Sequence, residues 1–143
     1  MRRKDGGEPI TITVVDKLTY ASNIERLQAF IARDYMELHI VDIANSNALA
    51  AVFGTPDVVV NFAAESHVDN SIKNPAPFIT SNVLGTLNLL ELCKQRSCKF
   101  IQVSTDEVYG SIAGSPAVED SPLLPNSPYA ASKASADLVV RSF

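Results

Sequence analysis

Ile101-Gln-Val-Ser-Thr-Asp-Glu-Val-Tyr-Gly110 decides the reading of this chain, together with Ser127-Pro-Tyr-Ala-Ala-Ser-Lys133. Lys99-Phe-Ile-Gln-Val103 is apolar, partly β-branched and free of turn residues, so it predicts a strand. That strand breaks into Ser104, Thr105, Asp106 and Glu107. In an open parallel sheet, ligands sit in the crevice beyond the carboxyl ends of the strands. A hydroxyl followed by two acids at such an end is therefore placed for chemistry. Ser127 is a good helix N-cap, Pro128 suits the first helical position, and helix-forming residues continue to Phe143. Tyr129 and Lys133 stand at i and i+4 and share one face of that helix. A nearby ammonium favours the phenolate form of a tyrosine, which yields a general base usable near neutral pH. Alone, Tyr-x-x-x-Lys is an ordinary surface pair; beside a Thr-Asp-Glu strand end it is a candidate catalytic set.

The chain has 143 residues, enough for one domain, and is 46% hydrophobic, enough to bury a core. Its net charge of −4 argues against nucleic acid or an anionic membrane surface as the main partner. No apolar run approaches the roughly 18 residues that a membrane span needs. Met1-Arg-Arg-Lys4 has the charge of a signal-peptide start, but Asp5-Gly-Gly-Glu-Pro9 follows instead of an apolar region. Cys93 and Cys98 are too few for a disulfide framework and lack metal-site spacing, so no metal is expected and a reducing cytoplasm is the default.

Residues 1–9 are charged and punctuated by Gly and Pro, as in a loop or a frayed end. Ile10 to Val15 reads as a strand ending at Asp16, and residues 23–32 as a short helix capped by Asn23. Met36 to Val41 is the next strand, followed by Asp42-Ile43, where Asp42 is a candidate cap for a helix from Ser46 to Phe53. Pro56 to Phe62 is almost wholly apolar, as expected of a strand buried on both faces. Ala63 and Ala64 then offer small side chains for close approach of a ligand to the backbone, and Glu65 to Asp69 reads as a polar loop. His67 has no second ligand at helical spacing and is given no catalytic role. Pro75 to Lys94 predicts one long helix, with Phe78, Asn82, Gly85-Thr86, Leu89 and Cys93 on its buried face. An Asn in that stripe needs partners, and Cys93 reads as an inert core residue. Ser111 to Asn126 is Pro-rich and reads as a surface loop over the strand end. Strands alternating with helices imply right-handed βαβ units, hence an α/β fold with a doubly wound parallel sheet.

These stretches resemble the extended short-chain dehydrogenase/reductases, and within them the dTDP-glucose 4,6-dehydratases. The matching pieces are VVDKLTYASN (14–23), VDI (41–43), PDVVVNFAAESHVDNSI (56–72), SNVLGTLNLLE (81–91), STDEVYG (104–110) and SPYAASKASAD (127–137). The resemblance implies a Rossmann-type fold with NAD as cofactor. An acid after the second strand accepts hydrogen bonds from the adenosine ribose and favours NAD over NADP, which gives Asp16 that role. By the same likeness Lys17, Leu18, Thr19, Ala21 and Ser22 wrap the adenosine, and Asp42 and Ile43 line the adenine pocket. Phe62, Ala63, Ala64, Ser66, Ser81, Val103, Tyr129 and Lys133 complete the implied cofactor contacts. Asn82 matches an Asn that helps hold the active-site backbone.

The implied reaction converts dTDP-glucose to dTDP-4-keto-6-deoxyglucose. Tyr129 is then the base at the sugar C4 hydroxyl, Lys133 supports it and bonds the nicotinamide ribose, and Thr105 orients the same oxygen. Glu107 is the base at C5 and Asp106 the acid at the departing C6 hydroxyl. Elimination needs one acid and one base, and two adjacent carboxyls in different surroundings meet that need. By the same likeness, 4-epimerases carry small or hydroxyl residues there and GDP-mannose dehydratases a Thr-Ser-Glu, so Thr105-Asp106-Glu107 points to the dTDP-glucose type. Helices 77–94 and 128–142 match the family's homodimer interface.

Two pieces of the family pattern find no match: the first strand with its glycine-rich phosphate turn, and the sugar-binding domain that would follow Phe143. Gly6-Gly7 precedes a strand and opens no helix, so it is no G-x-G-x-x-G. The expectation is a partial NAD-binding domain over residues 1–143, its sheet incomplete at the central first strand, with weak NAD binding. A fragment of a larger protein is the favoured account; rearranged strands or a gap filled by another chain are the others. An epimerase or decarboxylase acting on another nucleotide-sugar, and an inactive relative, are the competing functional readings.

Overall fold

The computed structural model describes residues 10–33, 36–112, 114 and 116–143. It divides into two compact units, Met1–Asp42 and Ile43–Phe143. The loop expected over residues 1–9 lies outside the described residues.

In the first unit, β1 (Ile12–Asp16) and β2 (Met36–Ile40) flank α1 (Glu25–Ile31). The strands pair in parallel, with Ile12 opposite Met36 and Asp16 opposite Ile40. Asn23 Oδ1 accepts from the Arg26 amide at 3.3 Å, so Asn23 holds the first turn as its residue type predicts. No side chain of α1 is fully buried, and Ile24 and Phe30 are exposed.

The second unit runs α2 (Ser46–Val52), β3 (Val58–Asn61), α3 (Val68–Lys73) and α4 (Ala76–Phe78), then a π-helical segment (Ile79–Leu84) and α5 (Gly85–Arg96). It continues with β4 (Lys99–Gln102), a 3-10 turn (Asp106–Tyr109) and α6 (Pro128–Arg141). β3 and β4 pair in parallel from Val58–Lys99 to Asn61–Gln102. The β1–β2 and β3–β4 pairs match the neighbours 3-2 and 4-5 of the order 3-2-1-4-5-6. Among the described residues each ladder has two strands, which is an incomplete Rossmann-type sheet.

The core of this unit gathers Leu49, Phe78, Leu89, Leu90, Val108 and Tyr129. Burying each large apolar side chain is worth about 1.5–3 kcal/mol. The predicted stripe Phe78, Asn82, Gly85, Thr86, Leu89 and Cys93 is buried throughout. Gly85 belongs in it because a Cβ there would lie 2.6 Å from the Ile43 side chain. Burial, then the neighbouring Cys98, pushes the Cys93 thiol up to about 12, which fits an inert core residue.

Four expectations need correction. The stretch Glu65 to Asp69 is not all loop, because α3 starts at Val68 and the Ser71 hydroxyl donates to Val68 O within it. The long helix is not regular: Thr86 Oγ1 donates to Asn82 O at 2.7 Å, one turn back, where the π segment passes into α5. Asn45, not Asp42, caps α2, its Oδ1 accepting from the Ala48 amide at 3.1 Å. Pro56 to Phe62 is not buried on both faces, since Val58 and Val60 are each 45% exposed. Asn61, the residue after Val60, points the other way, as strand alternation requires, and is buried.

Candidate active site

The end of β4 passes into the 3-10 turn through Thr105. Its backbone is extended, and its Oγ1 accepts from the Glu107 amide at 3.3 Å and donates to Asp106 Oδ1 at 3.3 Å. This cap is what turns the two acids out of the strand direction. Asp106 is left exposed and Glu107 half-buried, so the adjacent carboxyls do sit in different surroundings. Val108 anchors the turn in the core. Gly110 ends it at φ +74°, and a Cβ there would lie 2.0 Å from Leu124 O. The Leu124 amide donates to Val108 O at 3.0 Å, so the Pro-rich loop folds back on this turn.

α6 begins as its sequence dictates, with Ser127 Oγ accepting from the Ala130 amide at 3.1 Å and Pro128 in the first turn. Tyr129 and Lys133 lie on its inner face, 8% and 4% exposed. Lys133 Nζ donates to the Val103 carbonyl at 2.6 Å, tying α6 to the end of β4. Burial pushes the Lys133 ammonium below the usual lysine range, and the charge of Asp137 works against that shift. The Tyr129 ring meets Phe78 edge-on, centroids 6.3 Å apart at 72°. The 3-10 turn packs against α6, so the acids and the Tyr129–Lys133 pair share one corner of this unit. Thr105 Oγ1 spends its hydrogen bonds inside the turn in this structure.

A buried polar chain supports that corner. Asn82 accepts from the Glu65 amide at 2.8 Å, donates to Glu65 O at 3.0 Å and donates to Ser132 Oγ at 2.8 Å. Ser132 Oγ in turn donates to Tyr129 O at 2.7 Å. Asn61 Nδ2 bonds Thr86 Oγ1 at 3.1 Å and Gln102 Oε1 at 2.9 Å, and its Oδ1 accepts from the Ala63 amide at 3.1 Å. Asn82 was legible as a polar residue in an apolar stripe. Asn61, Ser132, Ser104 and Asp137 were not singled out; Asp137, four residues after Lys133, carried the i,i+4 spacing that marks a charged pair.

In the first unit, Asp16 Oδ1 accepts from the Leu18 amide at 2.6 Å and from Ser22 Oγ at 3.2 Å. Both bonds fall on one oxygen, which leaves Oδ2 for a ligand hydroxyl. Leu18 takes φ +51°, the left-handed conformation that closes this turn. Thr19 O accepts from the Ser22 amide at 2.9 Å, and Lys17 Nζ lies 3.9 Å from Asp42 Oδ2. Ala21 is exposed beside them.

The other expected cofactor residues lie in the second unit. Ile43 is buried, its carbonyl accepting from Asn88 Nδ2 at 2.9 Å. Phe62 is 73% exposed after β3, Ala63 and Ala64 follow it, Ser66 is exposed, Ser81 is buried in the π segment, and Val103 is half-buried. Among the described residues no cluster of three or more His, Cys, Asp or Glu could hold a metal ion. No helix among them is long and apolar enough to cross a membrane.

The family model described as GDP-mannose 4,6 dehydratase matches residues 3–143. A dTDP-glucose 4,6-dehydratase of Streptomyces antibioticus is 46% identical over 140 residues, covering 96% of this chain and 41% of the relative. The low-salt glycan biosynthesis protein Agl12 of Haloferax volcanii is 42% identical over 134 residues, covering 93% of this chain and 43% of Agl12. Among solved structures, a double mutant of DesIV, a dTDP-glucose 4,6-dehydratase from Streptomyces venezuelae with NAD and DAU bound, superposes at a TM-score of 0.90. It shares 42% identity, and the match covers 95% of this chain and 42% of DesIV. The chain thus spans about two fifths of the length of the relatives it matches. The turn after β4 and the buried tyrosine and lysine of α6 lie inside the matched stretch, and the chain belongs to the GDP-mannose 4,6 dehydratase family.

Proposed function

We propose that this chain serves the dTDP-glucose 4,6-dehydratase reaction and binds NAD, as part of an NAD-binding domain spanning residues 1–143. The observation that carries the proposal is the corner where Asp106 and Glu107, in unlike surroundings, pack beside buried Tyr129 and Lys133. An oxidation needs a base at a hydroxyl, and an elimination needs a second base and an acid. This corner offers all three.

The residues also suit the cofactor. Asp16 has a carboxylate oxygen left for a ribose hydroxyl, the choice a dinucleotide fold makes for NAD. Lys17, Leu18, Thr19, Ala21 and Ser22 would surround the adenosine in this reading, with Asp42 and Ile43 at the adenine. Phe62, Ala63, Ala64, Ser66, Ser81 and Val103 would flank the rest. When bound, NAD supplies a hydride acceptor at C4 and the hydride that is later returned to C6.

The chain's own residues do the proton work. Tyr129 takes the proton of the sugar C4 hydroxyl, with Lys133 charged beside it and Thr105 orienting the same oxygen. The C4 ketone acidifies the C5 proton, and Glu107 removes it. Asp106 gives a proton to the C6 hydroxyl, which leaves as water. An acid pair serves an elimination, whereas an epimerase has no use for one, and this favours the dehydratase over the epimerase reading. We also propose a homodimer through the helices at 77–94 and 128–142, where Ile79, Leu84 and Leu138 are exposed; sedimentation at micromolar concentration should give a dimer, and a monomer would count against it. The site needs no metal, nucleic acid or membrane partner, and a cytoplasmic location fits a nucleotide-sugar substrate.

Incubation with NAD and dTDP-glucose tests the reaction. The expected result is the alkali-dependent absorbance of the 4-keto product, and its absence would contradict the proposal.

A further inference from the structure

The Ser104 hydroxyl donates to Asp137 Oδ2, joining the end of β4 to the middle of α6. Neither residue has a part in the chemistry above. One residue before Ser104, the Val103 carbonyl accepts from Lys133 Nζ at 2.6 Å, and Asp137 lies one helical turn beyond Lys133. Two hydrogen bonds, Lys133 to Val103 and Ser104 to Asp137, therefore tie adjacent residues of the strand end to residues one turn apart on the helix. We propose that Asp137, fixed by Ser104, is a positioning residue for Lys133, its carboxylate supplying the counter-charge that holds the ammonium at the end of β4.

The physical need is plain. Lys133 is 4% exposed, and a carbonyl oxygen balances none of its charge. Burial pushes the ammonium below the usual lysine range, and the Asp137 carboxylate is the charge that opposes this. The elements packed against α6 carry other titratable groups: Asp69 and Lys73 on α3, Glu91, Lys94 and Arg96 on α5, and Asp106, Glu107 and Tyr109 on the 3-10 turn. α6 itself adds Tyr129 and Arg141. Asp137 is the charge that opposes the effect of burial on Lys133. A half-exposed aspartate on a helix samples several rotamers; the Ser104 hydroxyl selects one of them.

The inference rests on the working role proposed for Lys133, and its test does not need turnover. The full chain, labelled with carbon-13 at lysine Cε, is titrated by NMR, with the Lys133 resonance identified by its loss in Lys133→Met. Asp137→Asn should move the Lys133 titration to lower pH. Ser104→Ala should move it the same way by less, and Asp137→Glu should restore most of the parent behaviour. An unmoved titration in Asp137→Asn overturns the proposal. If that variant does not fold, Ser104→Ala carries the test, because Ser104 is exposed, and an unmoved titration there is equally contrary.

Turnover adds a second readout. Lys133 works charged, so activity is lost as pH rises through its pKa. Lowering that pKa brings the loss to lower pH. Asp137→Asn should shift the alkaline limb of kcat downward with the KM for the nucleotide-sugar unchanged, and a limb that stays in place argues against the proposal. A shifted Lys133 titration in a chain that makes no product supports the Ser104–Asp137 link while contradicting the dehydratase reading.

Discussion

The two units are built differently although both follow strand–helix order. From β1 to Asp42 the hydrogen bonds of the candidate cofactor turn are local, Asp16 to Leu18 and Ser22 and Thr19 to Ser22, while Lys17 reaches along the chain to Asp42. α1 buries no side chain there. From Ile43 onward Thr105, Asp106 and Glu107 are bonded within their own turn, but the frame around them and Lys133 is held by partners far away in sequence. Asn82 reaches Glu65 and Ser132, Asn61 reaches Thr86 and Gln102, and Lys133 reaches Val103. A turn that wraps a cofactor can be made locally. An acid, a base and a phenol that must act together need a rigid frame.

That contrast can be tested from its strong end to its weak one. Glu107→Gln keeps the shape of the 3-10 turn and removes the proposed C5 base, so product formation should fall by about 10²–10⁴-fold, the range for loss of a general base. Circular dichroism should show the fold unchanged, and a near-normal rate would detach Glu107 from the chemistry. Asn82→Ala removes the bonds to the Glu65 amide, the Glu65 carbonyl and the Ser132 hydroxyl, and should cost about 3 kcal/mol in urea denaturation. A cost as small as that of a surface change would mean that the long-range frame does not matter.

In the first unit smaller numbers are expected. Asp16→Asn should weaken NAD binding by about tenfold, or ~1.4 kcal/mol, read by calorimetry of the binding itself. Equal affinities would remove Asp16 from the cofactor site. Ser22→Ala deletes one half-buried bond to Asp16 and should shift stability by no more than about 0.5 kcal/mol. A loss as large as that of Asn82→Ala would erase the difference between the units.

The same division sets what the sequence disclosed. The four strands and the α6 cap were legible because they are local chemistry: apolar runs, β-branched in β1 and β3, marked β1 to β4, and Ser127-Pro128 opened α6 where the structure has it. The corner proposed as catalytic was legible as a candidate because Thr105-Asp106-Glu107 and Tyr129-x-x-x-Lys133 are short-range patterns in an α/β context. The π segment was not, since it accompanies Asn82 turning its side chain to Glu65 and Thr86 bonding back to Asn82 O. The α2 cap fell to Asn45 rather than Asp42, and α3 begins where a polar loop was expected; both are boundary choices made within a few residues. The exposure of Val58 and Val60 depends on what covers a strand face, which an apolar run does not state.

Isotope uptake tests the central claim most directly. Turnover of dTDP-glucose with NAD in deuterium oxide, followed by NMR of the sugar, reports whether the C5 proton is taken and replaced. The account predicts deuterium at C5 of the product from the parent chain and none in the sugar recovered from Glu107→Gln. Equal deuterium at C5 with and without the Glu107 carboxylate would contradict it.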